Sequence, residues 1–346
     1  MLIIGCDFHS RFQQIAMLDT ETGECQELRV EHEGQQVREF YAGLPQKALV
    51  GIESTGYALW FAEMLRELGH ELAVGHAAEI RARVVRQQKT DRRDAWHLLE
   101  LLAEGRFPRI WLPSAEERDV RVLLEHRHTL VQMRTRAKNG LQAVALNYGL
   151  ARRRSLWTAA GLTQLRQLPV REAMGRRRAD LLELVEQLDR WIGALDRRLE
   201  QEAAGRPPVQ QLLSHPGVGV LTALATVLVL GPVERFAEAR KVTSYIGLIP
   251  REHSSGGHQR FGKLSKQGNR LLRFLLIEAA QSASQHDPQL RRLYRRLTAR
   301  HGFQKAQAAV ARKLLIRLYV MLRDGIDYRE FCRRGSHAGM LGGHVV

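Results

Sequence analysis

"MLIIGCDFHSRFQQIAMLDTETGECQELRVEHE", residues 1 to 33, sets how the rest of the chain is read. Its apolar residues gather in "LIIGCDF" and "QQIAMLDT", and "GECQELRVEHE" follows a glycine turn, which predicts three consecutive strands with short connections. An acid, Asp7, stands at the end of the first run. Further along, "KALVGIES" reads as a short buried strand ending at Glu53, "YALWFAEMLRELG" as a helix with a glycine stop, "HELAVGH" as a strand and "AAEIRARVVRQQ" as a helix. Three strands followed by alternating strand and helix predict an α/β domain on a mixed sheet.

From about Ala115 the strand signal stops. "AEERDVRVLLEHRHTLVQMRTRAKNGLQAVALNYG" keeps apolar residues at three- and four-residue spacing, and "RRRADLLELVEQLDRWIGALDRRLEQEA" repeats the pattern after a break at "LPVREAMG". Two such helices predict an antiparallel coiled-coil arm that mediates homo-oligomerisation, as a dimer or tetramer. "AGRPPVQQ" reads as a Pro/Gly linker. A mainly helical region follows, with Pro216-Gly217-Val218-Gly219 between two helical runs and "QKAQAAVARKLLIRLYVMLRDG" as its closing helix. The expected division is an α/β domain over 1–110, a helical arm over 111–205, a mainly helical C-terminal domain over 206–335 and a tail over 336–346.

At 346 residues with 44% apolar side chains, the chain can bury ordinary cores, which excludes a disordered protein. Lys and Arg number 53 against 37 Asp and Glu, and the resulting +16 favours a polyanionic partner, nucleic acid first. Three widely spaced cysteines, Cys6, Cys25 and Cys332, suggest neither a disulfide framework nor a zinc site, and fit a reducing cytoplasm. "MLIIGCDFHS" has no basic flank and reads as a strand rather than a signal peptide. The uncharged stretch from Pro216 to Val233 is interrupted by prolines and glycines, so it reads as a turn and buried helix, not a membrane span.

The chemistry centres on "KTDRRDA". Asp91 and Asp94 lie three apart at the head of a helix, on one face, with Cβ atoms roughly 5–6 Å apart. Helix capping by Thr90 or Asp91 is one use for such a pair. Asp7 and Glu53, at the ends of neighbouring strands, point to another. Four converging carboxylates repel one another unless hard divalent cations neutralise them, Mg²⁺ foremost with Mn²⁺ as a substitute. That set suits two-metal phosphoryl transfer. Lys89, Arg92 and Arg93 surround the pair as candidate nucleic-acid contacts.

A second constellation is "REHSSGGHQRFGKLSKQGNR". Ser254 and Ser255 precede two glycines and a run of cations, with Arg251 before them and Arg260, Lys263, Lys266 and Arg270 after. Glycine lets backbone approach a phosphate, cations hold its oxygens, and a serine hydroxyl can act as nucleophile. A basic loop that only touches a DNA backbone has the same composition. "HPGVGVLTA" fits either an ordinary αα turn or a turn that offers backbone N–H groups to a phosphate. The fourteen histidines show no metal-ligand spacing.

In order, Asp7, "GIESTGY" around Glu53, "KTDRRDA", a long helical arm, "PGVG" and "YIGLIPREHSSGG" resemble the DEDD-type transposases of bacterial insertion sequences related to the Piv DNA invertase, from residue 1 to about 330. The resemblance implies a RuvC-like, ribonuclease-H-fold mixed sheet, then the arm, then a C-terminal transposase domain. It implies a recombinase of the bacterial cytoplasm, associated with the nucleoid and not a membrane, acting on donor and target DNA paired by a structured noncoding guide RNA of the element. By position the family's four acids fall on Asp7, Glu53, Asp91 and Asp94, and its serine on Ser255, which Ser254 directly precedes. The implied reaction is attack of Ser255 on a backbone phosphate held by Mg²⁺, leaving a phosphoserine that conserves the bond energy for rejoining. Two rival readings are a metal-dependent, Holliday-junction-resolvase-like nuclease that uses water, and a nucleic-acid-binding module whose acids are only caps.

Overall fold

The strand pattern of the first hundred residues folds as a five-stranded mixed sheet in the computed structural model, which describes residues 1–83, 90–151, 154–252 and 260–335. The chain separates into two units, Met1–Leu112 and a second that begins at Pro113. In the first, β1 (Leu2–Phe8), β2 (Phe12–Asp19) and β3 (Cys25–Glu31) run as an antiparallel meander. Then α1 (Gln36–Ala42) returns the chain so that β4 (Ala48–Glu53) lies parallel to β1, and α2 (Leu59–Glu67) does the same for β5 (Glu71–Gly75). The strand order is β3-β2-β1-β4-β5. Two helices, α3 (Ala77–Ala82) and α4 (Asp91–Ala103), complete the unit.

Strand periodicity divides β1 between two layers. Ile4, Cys6 and Phe8 pack with Ile15, Val50, Ile52, Tyr41, Phe61 and Leu65, so α1 and α2 cover that face. Ile3 packs with Ala16, Ala73, Ala95, Leu99 and Leu102, so α4 covers the other. Gly5 and Gly51 face α4 as well. A Cβ on Gly5 would lie 2.2 Å from the Ala95 carbonyl oxygen and 2.4 Å from the Leu99 nitrogen, and one on Gly51 2.4 Å from the Leu102 side chain. These missing side chains let α4 rest on the β1 backbone.

In the second unit α5 (Ala115–Asn147), opened by a Ser114/Glu117 capping box, packs against α7 (Glu172–Ala204), with α6 (Ala159–Gln167) between them in sequence. Arg127 bonds Asp196 at 2.8 Å and Arg134 bonds Asp189 at 2.7 Å, pairings that descend on α7 as they rise on α5, so the two helices are antiparallel. Their seam is apolar in successive layers: Val120, Leu124, Leu199 and Ala203; then Leu130, Leu188 and Ile192; then Ala137, Leu141 and Val185. The expected Pro/Gly linker is instead the start of α8 (Pro207–Leu213): Pro207 occupies the first turn, where a missing N–H leaves no bond unmade.

The uncharged stretch becomes a turn and α9 (Val220–Leu230), a helix nearly all of whose side chains are buried. Around it are α10 (Ala239–Tyr245), the hairpin strands β6 (Pro250–Glu252) and β7 (Phe261–Leu264), α11 (Arg270–His286), α12 (Pro288–His301), α13 (Phe303–Asp324) and α14 (Tyr328–Arg334). Among the described residues no helix is long and apolar enough to cross a membrane. The expected tail, 336–346, lies outside the described residues.

Candidate metal centre

β1 and β4 are adjacent and parallel, so their C-terminal ends share one edge of the sheet, where Asp7 and Glu53 stand. Cys6 pairs with Ile52, which puts Asp7 and Glu53 in neighbouring register on the face that α4 covers. With its middle seated on Gly5, α4 brings its first turn, with Asp91 and Asp94, to the same edge. Capping falls to Thr90, whose hydroxyl accepts from the Arg93 N–H at 3.3 Å, so Asp91 is not the cap residue.

Among the described residues, Asp7, Asp91 and His9 are close enough to share one ion, their ligand atoms lying within 4.8 Å of one another. The His9 Nε2 is 3.0 Å from Asp7 Oδ2 and 3.6 Å from Asp91 Oδ1. His9 lies just beyond β1, where no periodicity marks a side chain's direction, so its place in the site was not readable from sequence. Glu53 and Asp94 stand outside this trio. Glu53 accepts from Arg81 at 3.1 Å, and Asp94 is near enough to Asp7 to act on its charge.

Burial pushes the Asp7 carboxyl above the ordinary carboxylate range; the charges of Asp94 and Asp91 push the same way, against the pull of the His9 imidazole. Such a crowd of like charges is the electrostatic situation a divalent cation relieves, and the carboxylate oxygens suit a hard cation. The residues therefore fit a divalent metal.

The serine segment, residues 253–259, lies outside the described residues, as does Lys89; Ser254 and Ser255 are among them. Its flanks are β6 and β7, paired Pro250 with Leu264 and Glu252 with Phe261. The base of this hairpin is held by buried Arg273, which donates to the carbonyls of Ile246 and Gln267 at 2.8 Å each. Arg251, Arg260, Lys263, Lys266 and Arg270 are all exposed around it. Near the acids, Arg92 is bonded to Glu27 of β3 and Arg93 lies exposed in the first turn of α4. The "HPGVG" turn joins α8 to α9. A Cβ on Gly217, whose φ is +86°, would lie 2.3 Å from the Ala283 nitrogen, so this glycine serves close packing on α11. The cleft at the head of α9 is lined by Asp196 and Glu200, carboxylates that oppose a phosphate there.

A mixed sheet with carboxylates at the C-terminal end of its central strand and on the helix laid across it is the arrangement of a ribonuclease-H-like domain of the DEDD type. Residues 4–149 match the transposase profile of DEDD type from IS110 elements, and residues 209–295 match the profile described as transposase of the IS116/IS110/IS902 family. The chain is 32% identical over 252 residues to a probable family 20 transposase of Pseudomonas aeruginosa, covering 71% of this chain and 74% of that protein. It is 31% identical over 255 residues to the transposase for insertion sequence element IS1111A of Coxiella burnetii, covering 71% and 70%. To the transposase for element IS1328 of Yersinia enterocolitica it is 26% identical over 303 residues, covering 85% and 89%. The chain belongs to the IS110 family of insertion-sequence transposases and is an enzyme of DNA transposition.

Proposed function

We propose that this transposase cuts and rejoins donor and target DNA through a serine nucleophile beside a four-carboxylate metal site, directed by a noncoding guide RNA of its element. The observation that carries the reading is the convergence at one sheet edge: Asp7 at the end of β1, Glu53 at the end of β4, and Asp91 and Asp94 in the first turn of α4. Asp7, Asp91 and, in part, His9 would hold the cation, with Asp94 and Glu53 completing the set. Bound Mg²⁺, or Mn²⁺ in its place, would supply charge neutralisation at the phosphate oxygens. The carboxylates would hold the cation that faces the phosphate, and α4, seated on Gly5, fixes the carboxylates.

In this reading the Ser255 Oγ loses its proton as it bonds to phosphorus, the 3′ oxygen leaves and takes up a proton, and the phosphoserine keeps the bond energy for rejoining. The functional divisions are a RuvC-like catalytic domain over 1–110, a coiled-coil arm over 111–205 and a transposase domain over 206–335 that carries the serine. The arm joins protomers into a dimer or tetramer; Leu184 and Trp191, one heptad apart on α7, are exposed and supply an apolar stripe for a partner. The enzyme works on DNA in the bacterial cytoplasm, at the nucleoid. The test is a covalent adduct formed with junction DNA and flanking RNA of the element: Ser255→Ala loses it and Ser254→Ala keeps it. The opposite pattern moves the nucleophile to Ser254, and cleavage unaffected by either change makes water the nucleophile.

A further inference from the structure

α12, "PQLRRLYRRLTARH", contains five arginines and no carboxylate. The helical turn of 3.6 residues sorts its side chains into two halves. Leu290, Leu293 and Tyr294 pack into the core of the second unit, against α11 and α13. Arg291, Arg295, Arg292, Arg296 and Arg300 spread over the opposite half, all exposed, with Ala299 at its middle. Several arginines elsewhere are matched: Arg127, Arg134, Arg166 and Arg176 each meet an acid. Among the described residues none of the α12 arginines has a carboxylate within ion-pair range; Arg291 donates to the Gln285 carbonyl.

This face works against the helix that bears it. Arg291 and Arg295, Arg292 and Arg296, and Arg296 and Arg300 are like charges four residues apart, a spacing that destabilises an isolated helix. No apolar burial needs them, since Leu290, Leu293 and Tyr294 already hold α12 in place. What relieves the repulsion is a polyanion. Ala299 keeps the last turn of this face low, Arg292 stands one heptad before it on the same line, and Arg291 with Arg295 and Arg296 with Arg300 reach outward on the two sides.

We propose that α12 enters the major groove of duplex DNA, with the arginines on its two edges contacting phosphates of opposite strands. The B-form major groove, about 12 Å wide, admits an α-helix, whereas the deep and narrow major groove of A-form RNA does not. The inference rests on the transposase reading for the identity of the polyanion, while the charge, exposure and shape of the face are its own.

The test uses the full-length protein and a short mixed-sequence duplex DNA, followed by fluorescence anisotropy over a range of salt. Replacing Arg292, Arg296 and Arg300 together by Gln is expected to weaken binding roughly tenfold or more at low salt, and to reduce the slope of log affinity against log salt by about 2.7. The same three positions changed to Lys keep most of the slope. Neutralising Arg177, Arg190 and Arg197, exposed on α7, removes equal charge and leaves the slope unchanged. An RNA duplex loses less affinity than DNA on the Gln changes. A wild-type slope in the Gln variant overturns the proposal, as does an equal fall in the α7 variant, which would make net charge the cause. Equal losses on DNA and RNA overturn the groove placement. Unsubstituted protein that binds no nucleic acid would remove the transposase reading along with this one, whereas a failure of the variants alone leaves that reading intact.

Discussion

Asp7 in the first unit and Asp287 in the second are carboxylates withdrawn from water, and their surroundings drive them in opposite directions. Asp287 is 1% exposed and caps α12, accepting from the Leu290 N–H at 2.7 Å, from the Tyr328 hydroxyl at 2.6 Å and from Arg317, itself 2% exposed. Burial alone would raise its carboxyl, but the Tyr328, Leu290 and Arg317 donors outweigh burial and hold it below the ordinary range. Asp7 has His9 as a partner and Asp94 and Asp91 as like-charged neighbours, and it moves upward. A buried charge whose partners are complete belongs to the fold. One raised by burial and by like-charged neighbours, as Asp7 is, is a candidate for a cation site.

That contrast can be broken most directly at Asp7. Asp7→Asn removes a ligand oxygen's charge and also relieves repulsion, so strand cleavage should fall roughly a thousandfold or more, as expected from several kcal/mol of lost transition-state stabilisation. Thermal unfolding should shift upward or not at all. A marked loss of stability would place Asp7 with Asp287 as a structural group and end the comparison.

Arg317→Met should do the reverse. It strands Asp287 without its cation and also removes the bond to the side-chain amide oxygen of Gln289, 2.6 Å from Arg317, so chemical denaturation should register a loss of about 3–5 kcal/mol. Unchanged stability would mean that the Tyr328 and Leu290 donors suffice.

His215 sharpens the same theme with a base. It is buried, its Nδ1 lies 2.9 Å from the Pro216 carbonyl, and burial pushes it down to about 4 from an ordinary 6.5. Below 6.5 the unfolded chain takes up a proton that the folded chain refuses, so stability present above that value is lost as the pH falls toward 4, at up to about 1.4 kcal/mol per pH unit. Asp287 adds no slope in that window, because a depressed carboxyl titrates below its ordinary 3.8. His215→Phe should flatten the fall in melting temperature between pH 7 and 5; an unaltered slope would assign it to other histidines.

The smallest effect is expected from Tyr328→Phe. It removes one of three donors to Asp287, about 1.5 kcal/mol for a bond to a charged group, and should leave cleavage untouched. A larger loss would make the hydroxyl, rather than Arg317, the main support of that carboxylate.

Parts of this are legible in the sequence. The strands that became β1, β2, β4 and β5 follow from short apolar runs ended by turn residues, and α5 and α7 from unbroken helical spacing, because both signals are local. The missed elements had weak local signals. α1 spans seven residues with only Val37 and Tyr41 buried, too short to show a period. Pro207 reads as a linker or as a first helical turn with equal ease until α8 is seen to continue from it. Asp91 and Asp94 were readable as a pair on one face, yet their use was not, since Thr90 and Asp91 both have capping chemistry and only the bond from Arg93 N–H to Thr90 chooses.

What the sequence alone determined is the set of charges and their local order: acids at the ends of two strands and at the head of one helix, a run of cations after the paired serines, and apolar stripes long enough for the two long helices α5 and α7. Periodicity even put Gly5 and Asp7 on a common face of β1. Which helix would lie on that face, and how close, was decided by tertiary structure, because it depends on α4 finding two glycines, Gly5 and Gly51, on adjacent strands far apart in the chain. Contact at backbone distance lowers the first turn of α4 onto the sheet edge, and only then do Asp7, His9 and Asp91 come within reach of one ion. Spacing along a chain sets what can share a face. Long-range packing sets what shares a site.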